Sequence, residues 1–220
     1  MTIRIRGMFP WMAAIGVILV LGPQSEAFAQ KGRKISLADD PSMKEGSPPI
    51  VLVEVSDFQC PFCGRSARDV LTKVHEEFIR PEKVELIYLD YPLVRAHPQA
   101  FKAAEAAACA GDQGMFWEMH HQLFANQQAL GQDQLPERAR EVGLDVAVFQ
   151  KCLSSGRHAA GIRDDVRLVQ SLGITSTPAY LIGRRVPGGD KVEILEILKA
   201  MPYEELAKKL EVHLAAKQGK

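Results

Sequence analysis

Cys60 and Cys63 are separated by only Pro61 and Phe62. Two thiols at that spacing can trade bonds: one, as a thiolate, attacks a disulfide, and the other resolves the mixed disulfide that results. The same spacing also supplies half of a tetrahedral zinc site, which needs two more ligands. Cys109 and Cys152 stand singly, and His120 and His121 are neighbours on a helical stretch and cannot both face one point, so the second half-site is missing. No metal and no other cofactor is expected. The chemistry that the spacing favours is thiol–disulfide exchange, with Cys60 as attacking nucleophile and Cys63 as resolving thiol.

The flanking elements support that order of roles. Ile50 to Phe58 is β-branched and apolar at both parities in its first half, which suits a strand buried on both faces. From Pro61 to Phe78, Ala67, Val70, Leu71, Val74 and Phe78 recur at helical spacing, and Pro61 fits a first helical turn. The pair therefore sits where a buried strand meets a helix N-terminus, whose free N–H groups favour a thiolate. The first cysteine is expected to be the more exposed. Glu54 is a carboxylate in the middle of the apolar strand, where an unpaired charge is costly. It is either a buried proton relay to Cys63 or a strand-end carboxylate that meets solvent or a Lys. Phe58 and Phe62 are read as partly exposed beside Cys60, an apolar surface for unfolded chains. His97, His120 and His121 are given no role.

Further along, Val84 to Leu89 reads as a strand. Helical patterns follow over Pro98 to Ala110, Met115 to Asn126, Gln134 to Val142, Asp145 to Leu153 and Arg157 to Leu172, the last ended by Gly173. Strands return at Ala179 to Arg185 and Lys191 to Leu198 around the turn signal Pro187-Gly188-Gly189-Asp190, and Met201 to Ala216 closes as an amphipathic helix. A helical block inside a strand–helix framework means one domain inserted into another.

The chain has 220 residues, 46% of them apolar, enough for one well-buried domain with a sizeable insertion. Its 27 basic and 27 acidic residues balance, which gives no electrostatic case for nucleic acid. Arg4 and Arg6, the uncharged run from Met8 to Gly22 and Ala27-Phe28-Ala29 follow the order of a secretory signal peptide, with cleavage expected after Ala29. The alternative is a membrane anchor outside the cytoplasm, for which the run is short. Residues 30–48 are polar and read as a flexible leader.

Phe58-Gln59-Cys60-Pro61-Phe62-Cys63 with the later Thr177-Pro178 resembles the DsbA-like branch of the thioredoxin superfamily. The resemblance implies an α/β thioredoxin fold, a mixed central sheet flanked by helices, carrying an inserted all-helical domain. Residues 49–94 and 173–217 would form the two parts of the thioredoxin-like unit, and 95–172 the insertion. It implies that Thr177-Pro178 is a cis-proline loop that faces the active-site disulfide and binds substrate backbone with Phe62. A Pro that merely opens a strand is the plainer alternative. The resemblance also implies that Glu54 matches the buried acid beneath the disulfide, and that Cys109 and Cys152 form a disulfide of the helical domain; two buried free cysteines are the other reading.

The activity implied is introduction of disulfides into unfolded or reduced exported proteins of a bacterial periplasm, with a membrane quinone-linked partner to reoxidise the pair. Pro-Phe between the cysteines and Thr before Pro178 depart from the Pro-His and Val of the strongest oxidants. A reductase or isomerase of the same fold, or a redox-inactive binding module, therefore stays open. Isomerases of the superfamily carry an N-terminal dimerisation domain, for which residues 30–48 are too few, so a monomer is expected.

Overall fold

The computed structural model describes residues 32–37, 48–187 and 191–216. The expected signal peptide, most of the leader and the turn residues 188–190 lie outside the described residues. No helix among those described is long and apolar enough to cross a membrane.

Among the described residues, five strands form one mixed sheet: β1 (Lys34–Ser36), β2 (Ile50–Ser56), β3 (Glu85–Asp90), β4 (Ala179–Arg185) and β5 (Lys191–Lys199), in the order β1-β5-β4-β2-β3. β2 and β3 are parallel, and the other pairings are antiparallel. β2 lies between β4 and β3 and is buried at every position, as the apolar run of its first half leads one to expect. β1 corrects the leader reading. Its three residues lie in the segment taken as flexible, yet they pair with β5 and bury Ile35 beside Leu37.

Alternation along β2 divides the core. Val51, Val53 and Val55 face one side and meet Ile87, Leu89 and Leu181. Ile50 and Leu52 face the other, where Val70, Val74 and Phe78 of the first helix and Leu206 and Leu210 of the last cover them. Glu54 and Ser56 fall on this second side. The first helix, α1, runs continuously through Pro61–Ser66, Ala67–Leu71, Thr72–Val74 and His75–Ile79, with the second and fourth segments π-wound. The last, α7, is Tyr203–Ala215.

Between β3 and β4 lie α2 (Ala100–Gly111), α3 (Phe116–Ala125), α4 (Leu135–Glu141), α5 (Val146–Ser155) and α6 (Ala159–Ser171). This is the helical block that the spacing predicts. Its last helix serves two cores: Ile162 packs within the block, while Val169 joins the sheet core with Leu172. Gly173 follows α6 at φ 72°, the left-handed conformation that ends a helix without a Cβ clash. Cys109 of α2 and Cys152 of α5 are joined as a disulfide.

Candidate active site

Cys60 is the N-cap of α1, with Pro61 in the first turn. The turn that delivers the chain from β2 into α1 is built around Asp57. Its Oδ1 accepts from the N–H groups of Gln59 (2.8 Å) and Cys60 (3.1 Å), and its Oδ2 accepts from the N–H of Leu93 and meets Nδ1 of His97, both at 2.8 Å. The Gln127 side chain comes from the loop after α3 and donates to the carbonyls of Phe58 and Cys60, each at 2.8 Å. Gly64 makes room for it, because a Cβ there would overlap the Gln127 amide.

Cys60 is 4% exposed and Cys63 0%. The expected order holds, but the difference is small, and what separates the two sulfurs is ionisation. The Cys60 thiol is lowered to about 5, chiefly because the S–H of Cys63 donates to its thiolate. Burial opposes this, while the backbone N–H groups of Cys63 and Phe62 and the side chain of Thr177 reinforce it. Burial pushes Cys63 far upward, and donation to Cys60 adds to the rise; the Ser56 and Thr177 side chains work weakly against it. One sulfur is therefore an anion near neutrality and its neighbour a thiol, the division that exchange requires.

Thr177–Pro178 is a cis peptide, as the resemblance implies, and the Thr177 carbonyl oxygen lies 3.9 Å from Cys60 Sγ. Phe62 is 61% exposed, with the Arg65 guanidinium 5.2 Å from its ring centroid. Phe58 departs from expectation. It is buried, stacked on Tyr88 and packed against Phe124, with both centroid distances 4.9 Å. It anchors the turn to the helical block and offers nothing to a client.

Glu54 is fully buried, which excludes the solvent-facing reading. In the sheet it stands opposite Tyr88 of β3 and Tyr180 of β4. Both phenols are raised, first by burial and then by nearby acids; Glu54 and Cys63 contribute to both. The partner of Glu54 is no Lys but His120, whose Nε2 lies 3.4 Å from Oε2. Asp57, His97, His120 and Gln127 are the site residues that the sequence left unassigned. An Asp three residues before a helix N-cap carries a turn signal, and His120 interrupts an apolar stretch; His97 and Gln127 carry no local signal.

The family model described as Thioredoxin matches residues 43–200. A probable disulfide bond formation protein D of Bacillus anthracis is 24% identical over 189 residues, covering 80% of this chain and 87% of the relative. A Na(+)/H(+) antiporter, NhaA 1, of Salinispora arenicola is 36% identical over 151 residues; the match takes in 67% of this chain but 22% of the antiporter, so the chain spans about a fifth of that relative's length. Among solved structures, oxidised BdbD of Bacillus subtilis superposes with a TM-score of 0.68 at 20% identity, covering 84% of this chain and 98% of the other. Wolbachia pipientis alpha-DsbA1 gives 0.69 at 19% identity, with 83% and 94% covered.

Proposed function

The chain belongs to the Thioredoxin family, and on that premise we propose that it is a protein thiol–disulfide oxidoreductase that introduces disulfides into exported proteins. The observation that carries the reading is the pair itself: a Cys60 thiol held at about 5, its resolving partner buried, and the Thr177 carbonyl beside the reactive sulfur. Stabilising the Cys60 thiolate stabilises the reduced protein, which makes the disulfide form a better oxidant.

A client thiolate forms a bond to Cys60 Sγ of the Cys60–Cys63 disulfide. The bond to Cys63 breaks, its electron pair goes to Cys63, and Cys63 takes up a proton, with Glu54 as the buried acid nearby. A second client thiolate then attacks the client sulfur of the mixed disulfide, expels Cys60 as a thiolate and leaves an oxidised client. Two client thiols become one disulfide, and the Cys60–Cys63 disulfide becomes a dithiol. Phe62 supplies an apolar contact and the Thr177–Pro178 loop a backbone contact, neither of which selects a client sequence.

The relative named as a disulfide bond formation protein supports this role. The antiporters' transport belongs to proteins of which the matched stretch is a small part, and it is not carried over. Export to a periplasm is supported by the order of residues in 1–29 and by the Cys109–Cys152 disulfide, which suits an oxidising compartment; retention by an uncleaved anchor outside the cytoplasm is the alternative. A membrane quinone-linked partner would reoxidise the dithiol.

The deciding measurement is the redox potential of the Cys60–Cys63 couple in glutathione buffers, alongside refolding of a reduced, unfolded client. An oxidase gives a potential more positive than about −180 mV and forms client disulfides stoichiometrically. A markedly lower potential with rapid insulin reduction would move the chain to the reductase or isomerase role. Client handling that survives Cys60→Ala would make it a binding module.

A further inference from the structure

The release of Cys63 raises a question of supply. Cys63 is wholly buried, its thiolate is strongly disfavoured there, and a bound client covers the surface around Cys60 and Phe62. Its proton has to come from inside. The acid–base side chains Glu54 and His120 lie in this interior, both at most 1% exposed, and Glu54 acts together with Cys63 on the same two phenols, Tyr88 and Tyr180. Glu54 and His120 face each other across the junction of sheet and helical block, 3.4 Å apart. Among the described residues, Glu54 Oε1 and His120 Nδ1 hold no other hydrogen bond. Two half-satisfied polar side chains in a core are destabilising and call for a reason.

The surroundings of His120 give its ring a direction. Phe58, Tyr88, Trp117 and Phe124 stand around it, with centroid distances of 4.9 to 5.7 Å. Inward, its polar contact is Glu54. Outward, it reaches the wall of a groove of about 1080 Å³ between α1 and α3, which His75, His121 and Glu118 also line. The His121 ring lies 5.3 Å from that of His120.

We propose that Glu54 and His120 act as one buried acid–base unit for Cys63, in which His120 is a positioning residue that holds Glu54 in place and links it to the groove behind α1. On this arrangement the leaving Cys63 thiolate takes a proton from Glu54, Glu54 recovers one through His120, and the path opens on the face away from the client. The inference rests on the exchange chemistry proposed above. The other titratable groups that face the unit are Cys63 from α1, Tyr88 from β3 and Tyr180 from β4, with His75, His121 and Glu118 at the groove. Burial and the buried acids raise both tyrosines, and burial together with the charges of His120 and His75 lowers His121. A bell or step from the unit itself is therefore read against tyrosines that stay protonated.

The test follows the rate at which a monothiol cysteine peptide opens the Cys60–Cys63 disulfide of the full chain as pH varies. His120→Gln keeps a polar group but cannot carry a proton on and off. It is expected to slow exchange about tenfold at neutral pH, below the loss of about 100-fold or more typical of removing an acid–base group outright, and to flatten the pH profile. The Glu54→Gln/His120→Gln double variant should be no slower than Glu54→Gln alone, because the two act as a unit. A folded His120→Gln protein with the wild-type pH profile, or losses that multiply in the double variant, would overturn the proposal. Should His120→Gln fail to fold, nitrogen NMR of the histidine rings in the unaltered protein decides. The His120 ring nitrogens must shift between oxidised and reduced states, and identical titrations in both states sink the idea. If the wild-type chain does not exchange with the peptide at all, the oxidoreductase function itself fails; exchange that is lost in Cys60→Ala but indifferent to His120 removes only the relay.

Discussion

The Sγ of Cys60 lies 3.9 Å from the carbonyl oxygen of Thr177, a residue 117 positions away in sequence. The side chain of the same residue is among the groups that lower the Cys60 thiol. Replacing Thr177 by Val keeps the branched shape and removes the hydroxyl. The ultraviolet thiolate absorbance of the reduced protein should titrate with a midpoint near 5 in the wild type and higher in Thr177→Val. A midpoint at the free-thiol value of about 8.5 in the wild type would remove the basis of the nucleophile assignment.

The same lowered thiol sets a pH dependence of stability. Folding of the reduced chain moves Cys60 from the free-thiol range down to about 5. A group lowered by folding stabilises the fold when ionised. Its contribution is therefore full near the free-thiol pKa of about 8.5 and is lost as pH falls through the folded value. The disulfide form has no such group. Urea unfolding should show the reduced form gaining stability relative to the oxidised form as pH rises across that window. Above it, Cys63, which burial keeps un-ionised, acts in the opposite sense.

Asp57→Ala should be among the more damaging substitutions near the site. It leaves the N–H groups of Gln59, Cys60 and Leu93, and Nδ1 of His97, without their acceptor in a buried turn. A loss of about 3 kcal/mol is expected from urea unfolding. The thiolate titration should move as well, since the turn sets the position of Cys60.

Phe62→Ala is expected to separate two kinds of substrate. The ring is 61% exposed beside Cys60 and has little to do in the free protein. Covering it with a client is worth about 1.5 kcal/mol, or roughly tenfold in rate with unfolded proteins. Exchange with glutathione, which is too small to use the ring, should be unchanged.

The Cys109–Cys152 bond closes a separation of 43 residues. Chain entropy assigns such a closure about 4 kcal/mol, an upper-end figure. The double variant Cys109→Ser/Cys152→Ser should lose up to that amount in denaturant melts and keep its exchange activity once folded. Loss of exchange in a folded double variant would show that the bond does more than brace the helical block.

The sequence disclosed those features whose signal is local. The apolar run of β2, the helical spacing after Pro61 and the stop at Gly173 each lie within one short stretch, and each element formed where its pattern lay. The site was half legible for the same reason. Cys60, Cys63 and the Thr177–Pro178 loop have recognisable neighbours in sequence. His97 meets Asp57 across 40 residues, and His120 meets Glu54 across 66, so no short window contains either pair. Phe58 was misplaced because proximity to Cys60 in sequence says nothing about which side of the turn it faces; its ring turns inward to Tyr88. β1 escaped because three residues flanked by polar positions are too short to show alternation.

That short strand has a practical consequence for anyone trimming the chain. Gly32 donates to the carbonyl of Ile194, Ile194 donates back to Arg33, and the Arg33 guanidinium reaches the Ser171 carbonyl. A version begun at residue 38 would uncover the outer margin of β5 from Lys191 to Ile194 and the apolar residues that Ile35 and Leu37 shield. A bare strand margin of that kind is a template on which another molecule can stack. Such a shortened protein would keep every catalytic atom and still tend to clump, whereas one begun at Gly32 would stay dispersed.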